Sequence, residues 1–117
     1  MLLIVLLGSG CQREAEVVPV RGTVMYRGQP LRQGVVAFVS DPQRSSDSVL
    51  AVATIQPDGH FSLQWQERQG LPPGWYRISI LCPNDRTWPE RYCDPQRSGL
   101  EFQVLPQRDN TITIRLE

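Results

Sequence analysis

Apolar residues in this chain recur with a period of two, and no long proline-free stretch carries them at helical spacing. Ten prolines and nine glycines are spread over 117 residues, so any helix is interrupted early. Short alternating runs bounded by turn residues describe half-buried strands instead. Val18, Val20, Val24 and Tyr26 share one parity, with Arg21 and Thr23 on the other. Phe61, Leu63 and Trp65 alternate with His60, Ser62 and Gln64. The same reading sets Tyr76, Ile78 and Ile80, then Leu100, Phe102 and Val104, then Ile112, Ile114 and Leu116 inward. Strands are predicted over 18–26, 34–40, 49–56, 60–65, 75–81, 100–105 and 110–116. Pro57-Asp58-Gly59 is a turn with a mechanism: proline presets φ and glycine admits positive φ. Gln66 to Gly74 reads as an irregular connection, and 83–98 as a long loop. Short strands at this spacing predict an all-β fold, a seven-stranded antiparallel β-sandwich.

Charge excludes several function classes. The chain has 12 basic residues, all arginine, 12 acidic residues and one histidine, for a net charge of zero. A nucleic-acid partner is not expected, because phosphate contacts need a positive surplus. Without lysine there is no Schiff-base chemistry. A single histidine excludes a multi-histidine metal site. No cofactor and no metal is expected, and the reading is of a non-enzyme. The length suits one domain of about 100 residues.

The amino terminus carries the localisation signal. Met1 to Leu7 is an apolar run, followed by Gly8, Ser9, Gly10 and Cys11, then by the polar stretch Gln12 to Glu16. An apolar run followed by small residues is a secretory signal pattern. The run is too short to span a bilayer, which takes about 20 apolar residues. A cysteine directly after the small residues resembles the lipobox of bacterial lipoproteins, with Gly8 where leucine is usual. The resemblance implies that Cys11 is lipidated. The expected organisation is a signal segment over 1–10, a lipidated cysteine and polar tether over 11–16, and a β-sandwich domain over 17–117. The expected location is the cell envelope, with the membrane as partner through the lipid.

Several ordered segments carry a second resemblance. They are Val18-Pro19-Val20-Arg21-Gly22-Thr23-Val24, Gly28-Gln29-Pro30-Leu31, Gly34 to Val39, Pro57-Asp58-Gly59-His60-Phe61-Ser62-Leu63, Leu71-Pro72-Pro73-Gly74-Trp75-Tyr76-Arg77-Ile78, Pro89-Glu90-Arg91-Tyr92, Ser98-Gly99-Leu100 and Asn110-Thr111. From Cys11 onward the chain resembles small planctomycete-type lipoproteins with a carboxypeptidase regulatory-like (transthyretin-like) domain. Gln56 before the turn and Cys93 after Tyr92 depart from that pattern. The resemblance implies a transthyretin-like sandwich without catalytic residues, a structural or interaction module of the envelope.

Candidate sites are few. Outside the cytoplasm Cys82 and Cys93 are candidates for a disulfide. It would close a loop of about a dozen residues and contribute about 3 kcal/mol. The competing reading is a buried Cys82, which shares parity with Ile78 and Ile80, beside a surface thiol at Cys93. Trp75, Trp88 and Tyr92 are candidates for an aromatic platform that binds carbohydrate or peptide, with burial over the core as the competing reading for Trp88 and Tyr92. Trp65 is expected in the core. His60 opposes the parity of Phe61 and Leu63 and is expected to face solvent. Asp41, Asp47, Asp58, Asp85, Glu90 and Asp94 are expected as solvated loop carboxylates, and the arginines as solvated faces. The outer strands 18–26 and 110–116 are possible acceptors of a partner strand, with Pro19 and Arg115 as edge protection.

Overall fold

The computed structural model describes residues 16–117. The signal segment over 1–10 and Cys11 lie outside these residues. The described chain is all-β, with no α-helix among the described residues. Its strands are β1 (Val20–Tyr26), β2 (Gln29–Pro30), β3 (Val35–Ser40), β4 (Leu50–Thr54), β5 (His60–Ser62), β6 (Gln64–Trp65), β7 (Arg68–Gln69), β8 (Gly74–Leu81), β9 (Glu101–Val104) and β10 (Asn110–Leu116). One 3₁₀ turn, Glu90–Cys93, lies in the long loop between β8 and β9.

Two four-stranded sheets form. One runs β4-β3-β8-β9; the other has β1 between β10 on one side and β2 and β5 on the other. Alternation explains the layers. Val36 and Phe38 of β3, Tyr76, Ile78 and Ile80 of β8, and Val104 of β9 turn inward from the first sheet. Val20 and Val24 of β1, Phe61 of β5, and Ile114 and Leu116 of β10 meet them from the second. Phe38 is the hub, with ring centroids 6.1 Å from Phe61, 6.2 Å from Tyr76 and 6.4 Å from Phe102. Gly22 makes one close approach possible: a Cβ there would lie 2.7 Å from the Phe61 ring. Within the half-buried set, Tyr26, Trp65, Leu100, Phe102 and Ile112 flank this core rather than filling it.

Three expectations change. The strands are not all antiparallel: β1 and β10 pair in parallel, Val20 opposite Asn110 through Tyr26 opposite Leu116. The 105–109 turn delivers β10 from the other sheet to the end where β1 starts, so both run the same way. The predicted strand over 60–65 breaks at Leu63, which is buried. Its second half folds back as the β6–β7 hairpin inside the stretch expected to be irregular. Third, β1 is not an outer strand, because it has partners on both sides. The edges are β4 and β9 of one sheet, and β10 on one side and β2 and β5 on the other of the second.

The sheets give the molecule two ends. Val18 bridges Leu71 just before β8 begins, and β1, β4, β8 and β10 all start at that end. The turn at Asp58–Gly59, with Gly59 at φ 87°, and the long loop after β8 lie at the other.

A candidate binding groove and the placement of the predicted residues

The turn after β4 brings two strand edges together. Gln56 N–H donates to the His60 carbonyl at 2.8 Å and Gly59 N–H to the Gln56 carbonyl at 2.8 Å, so β5 returns beside β4 but in the opposite sheet. Between them lies a groove of about 380 Å³ lined by Arg21, Val52, Ala53, Thr54, Gln56, His60, Phe61, Ser62 and Gln64. Its floor is apolar, formed by Ala53 and the buried Phe61. Its walls carry amides, hydroxyls, one imidazole and one guanidinium. Such a lining offers hydrogen bonds to a polar ligand around a small apolar contact, the usual make-up of a recognition site.

Two groups at the rim are already engaged. His60 Nδ1 lies 3.1 Å from Asp58 Oδ2, and His60 N–H donates to Asp58 Oδ1 at 3.1 Å. That backbone bond first, with help from the ring, holds the Asp58 carboxyl below its ordinary value although burial opposes it. Both side chains are mostly exposed, as parity predicts for His60. Arg21 reaches Asp109 at 3.3 Å, again in solvent.

The predicted aromatic platform is not assembled. Trp88 and Tyr92 are buried, and the Trp88 ring packs at a tilt against Tyr26 at a ring-centroid distance of 4.9 Å and against Tyr92 at 5.6 Å. Trp88 Nε1–H donates to the Ile80 carbonyl at 2.8 Å. The long loop has folded back over the core, because two large rings gain more by leaving water than by staying in it. Trp75 is at the opposite end, where the Arg44 guanidinium covers its ring at 4.1 Å.

Cys82 and Cys93 are both free thiols, so the disulfide expectation gives way to its alternative. Cys82 is buried, with its Sγ 3.8 Å from the Gln33 carbonyl. Burial, and then the carboxylate of Asp85, push its thiol pKa up, which lowers its reactivity. Cys93 is exposed.

One carboxylate departs from the solvated reading. Asp41 is fully buried. Its Oδ1 accepts from Gln43 N–H at 2.9 Å, Arg44 Nε donates to Oδ2 at 2.6 Å, and Arg77 Nε lies 3.6 Å from Oδ1. These partners, the Gln43 N–H first, hold its pKa below the usual range despite burial. Arg44 also bonds Glu101. Arg44 and Arg77 therefore work as internal ties rather than as solvated faces. Asp85 and Asp94 cap their own turns, accepting from Thr87 N–H and Gln96 N–H at 2.9 Å each. Among the described residues no group of three His, Cys, Asp or Glu is placed to hold a metal ion, and no helix is long and apolar enough to cross a membrane.

The groove escaped sequence reading because its parts come from the edges of two strands in different sheets. The signal that finds it is the uncharged stretch from Ser48 to Pro57 ahead of a tight turn. No family model, curated protein or solved structure matches the chain.

Proposed function

We propose that the protein is a non-catalytic exported lipoprotein, held at a membrane by lipid on Cys11, whose transthyretin-like sandwich serves as a structural or interaction module of the cell envelope. The observation that carries this reading is where the fold begins. Val18 is already bridged to Leu71, seven residues after the cysteine of the lipobox-like segment. Seven extended residues reach at most about 25 Å, so a lipid on Cys11 keeps the domain close against its membrane. Stable anchorage needs more than one acyl chain, each buried CH₂ adding about 0.8 kcal/mol.

The strand arrangement supports the module reading: one sheet is β4-β3-β8-β9, and the other places β5 and β10 around β1. The buried polar groups support it as well, since each fixes backbone. Asn110 receives Leu105 N–H at 2.8 Å and donates to the Leu105 carbonyl at 3.0 Å, closing the last turn. Ser40 Oγ accepts from Val49 N–H at 2.9 Å, and Ser98 Oγ donates to the Ile78 carbonyl at 2.5 Å. The groove between β4 and β5 favours a second reading, a carbohydrate- or peptide-binding module that recognises its ligand there instead of through loop aromatics.

Intact mass of the protein extracted from envelopes tests the tether. The expected mass corresponds to a chain starting at Cys11 with added acyl groups. A chain with its leader still attached and Cys11 unmodified overturns the reading.

A further inference from the structure

The β4 edge differs from the β9 and β10 edges. In β9, Glu101 is exposed; in β10, Thr111, Thr113 and Arg115 are exposed. Charge of this kind protects an edge from pairing. From Ser48 to Pro57 the chain around β4 has no charge, and Leu50 and Val52 are 61% and 53% exposed. Leu50, Val52 and Leu81 are the large exposed apolar side chains among the described residues. All three belong to the outer face of one sheet, where Val35 is paired with Leu81 on one side and Thr54 on the other.

Register shows what the edge offers. Ser40 N–H donates to the Val49 carbonyl at 2.9 Å, and Ile55 N–H donates to the Gly34 carbonyl at 2.9 Å. Main-chain groups of one residue in an antiparallel strand point to one side, and the side alternates along the chain. Residues 49, 51, 53 and 55 therefore bond to β3. The N–H and C=O groups of Leu50, Val52 and Thr54 point outward along the open edge. On the facing side of the groove, Leu63 N–H bonds the Val20 carbonyl, so Ser62 turns its own main-chain groups away from β1. The groove thus has unpaired backbone on one long wall, with polar side chains opposite.

We propose that this edge accepts an extended segment of a partner protein as an added strand. The segment is uncharged, with alternate apolar residues beside Leu50 and Val52, and polar residues turned into the groove toward Gln56, His60, Ser62 and Gln64. Main-chain bonds give affinity and the alternating faces give selectivity in this mode of recognition. A second copy is the less favoured occupant. Antiparallel pairing of β4 with its counterpart sets two copies head to tail and puts their Val18 ends on opposite sides. Two chains tethered at one membrane by short leashes meet that geometry poorly. This preference rests on the tether reading; the open edge itself does not.

The test uses the full-length chain in mild detergent and a pool of capped heptapeptides that alternate Val, Ile or Leu with Thr, Ser or Gln. In the free protein the amides of Leu50, Val52 and Thr54 exchange quickly with solvent. Bound peptide slows their exchange about tenfold, the worth of one main-chain hydrogen bond. Val52→Lys, and separately Val52→Pro, weaken binding by about tenfold or more. Proline at this position removes an outward N–H and leaves the bonds to β3 in place. Gln103→Lys on the β9 edge has no effect. No binding, or protection confined to β9 or β10, overturns the proposal. Protection without peptide that grows with protein concentration also overturns it, assigning the edge to a second copy. Neither result depends on whether Cys11 carries lipid, so failure here is distinct from failure of the tether.

Discussion

Two long excursions leave the same sheet, and they are held by opposite physics. The segment over 41–49 joins β3 to β4 at the end where Val18 lies, and a buried charge ties it down. Asp41 gathers Gln43 N–H, Arg44 and Arg77, while Arg44 lies on Trp75 and bonds Glu101. The segment over 82–100 joins β8 to β9 at the other end and is held by aromatic burial, with Trp88 packed between Tyr26 and Tyr92. The aromatic cap draws on area removed from water, which is non-directional and insensitive to pH. The charged tie draws on oriented contacts to two arginines whose strength depends on the carboxyl being ionised. One end should therefore fail to cavities and the other to protons.

The aromatic end should give the largest loss. Trp88→Ala removes a buried indole and leaves the Ile80 carbonyl without its donor. Large-to-small changes of this type cost about 3–5 kcal/mol, a large share of the roughly 5–15 kcal/mol that holds a domain of this kind. Urea unfolding of the full-length chain should show the drop, equally at pH 7 and pH 5. A loss below about 1 kcal/mol would mean that the loop is packed loosely and that the ring is not part of the core. Ser98→Ala should cost less, about 1–3 kcal/mol. Its Oγ donates to the Ile78 carbonyl and accepts Leu100 N–H at 3.1 Å, so the change strands two backbone groups where the loop rejoins the sheet. Equal values for the two variants would shift the weight at this end from rings to hydrogen bonds.

The same contrast explains what the sequence made legible. Strands with one apolar parity, such as Phe61 and Leu63 or Tyr76, Ile78 and Ile80, announce both their type and their inward face. Strand β4 does not, because Leu50 and Val52 compete with Ala51 and Ala53. The larger pair lies outside, and only the small alanines fit inward. Asp41 is illegible for another reason. Its burial depends on arginines 3 and 36 positions away in sequence, and no local pattern reports them. The aromatic residues were visible as a group, but which rings share a neighbourhood was not. Trp75 lies at the start of β8 and Trp88 beyond its far end, so the strand itself separates them. The parallel pairing of β1 with β10 joins the two ends of the domain and leaves no trace in either strand alone. The groove is the extreme case, since it exists only once two edges from different sheets are side by side.

The charged end is best broken with pH. Folding holds the Asp41 carboxyl below its ordinary value, and an unfolded aspartate titrates near about 3.9. A group whose folded pKa is depressed adds stability above the unfolded pKa and loses it as pH falls through the folded one. Asp41→Asn keeps an acceptor for Gln43 N–H but removes the charge that Arg44 and Arg77 share. At neutral pH the variant should therefore be less stable than the parent, by less than Trp88→Ala. The gap should begin to close as pH drops below about 4, and vanish only below the depressed folded value, where the parent's carboxyl is protonated too. Added salt should leave most of the neutral-pH gap in place, because a buried pair is screened far less than an exposed one. Urea midpoints of parent and variant from pH 7 down to pH 3, with and without salt, decide it. A gap independent of pH would assign Asp41 a role through shape alone. A gap erased by salt would place the carboxylate in solvent, and the two ends would then differ only in degree.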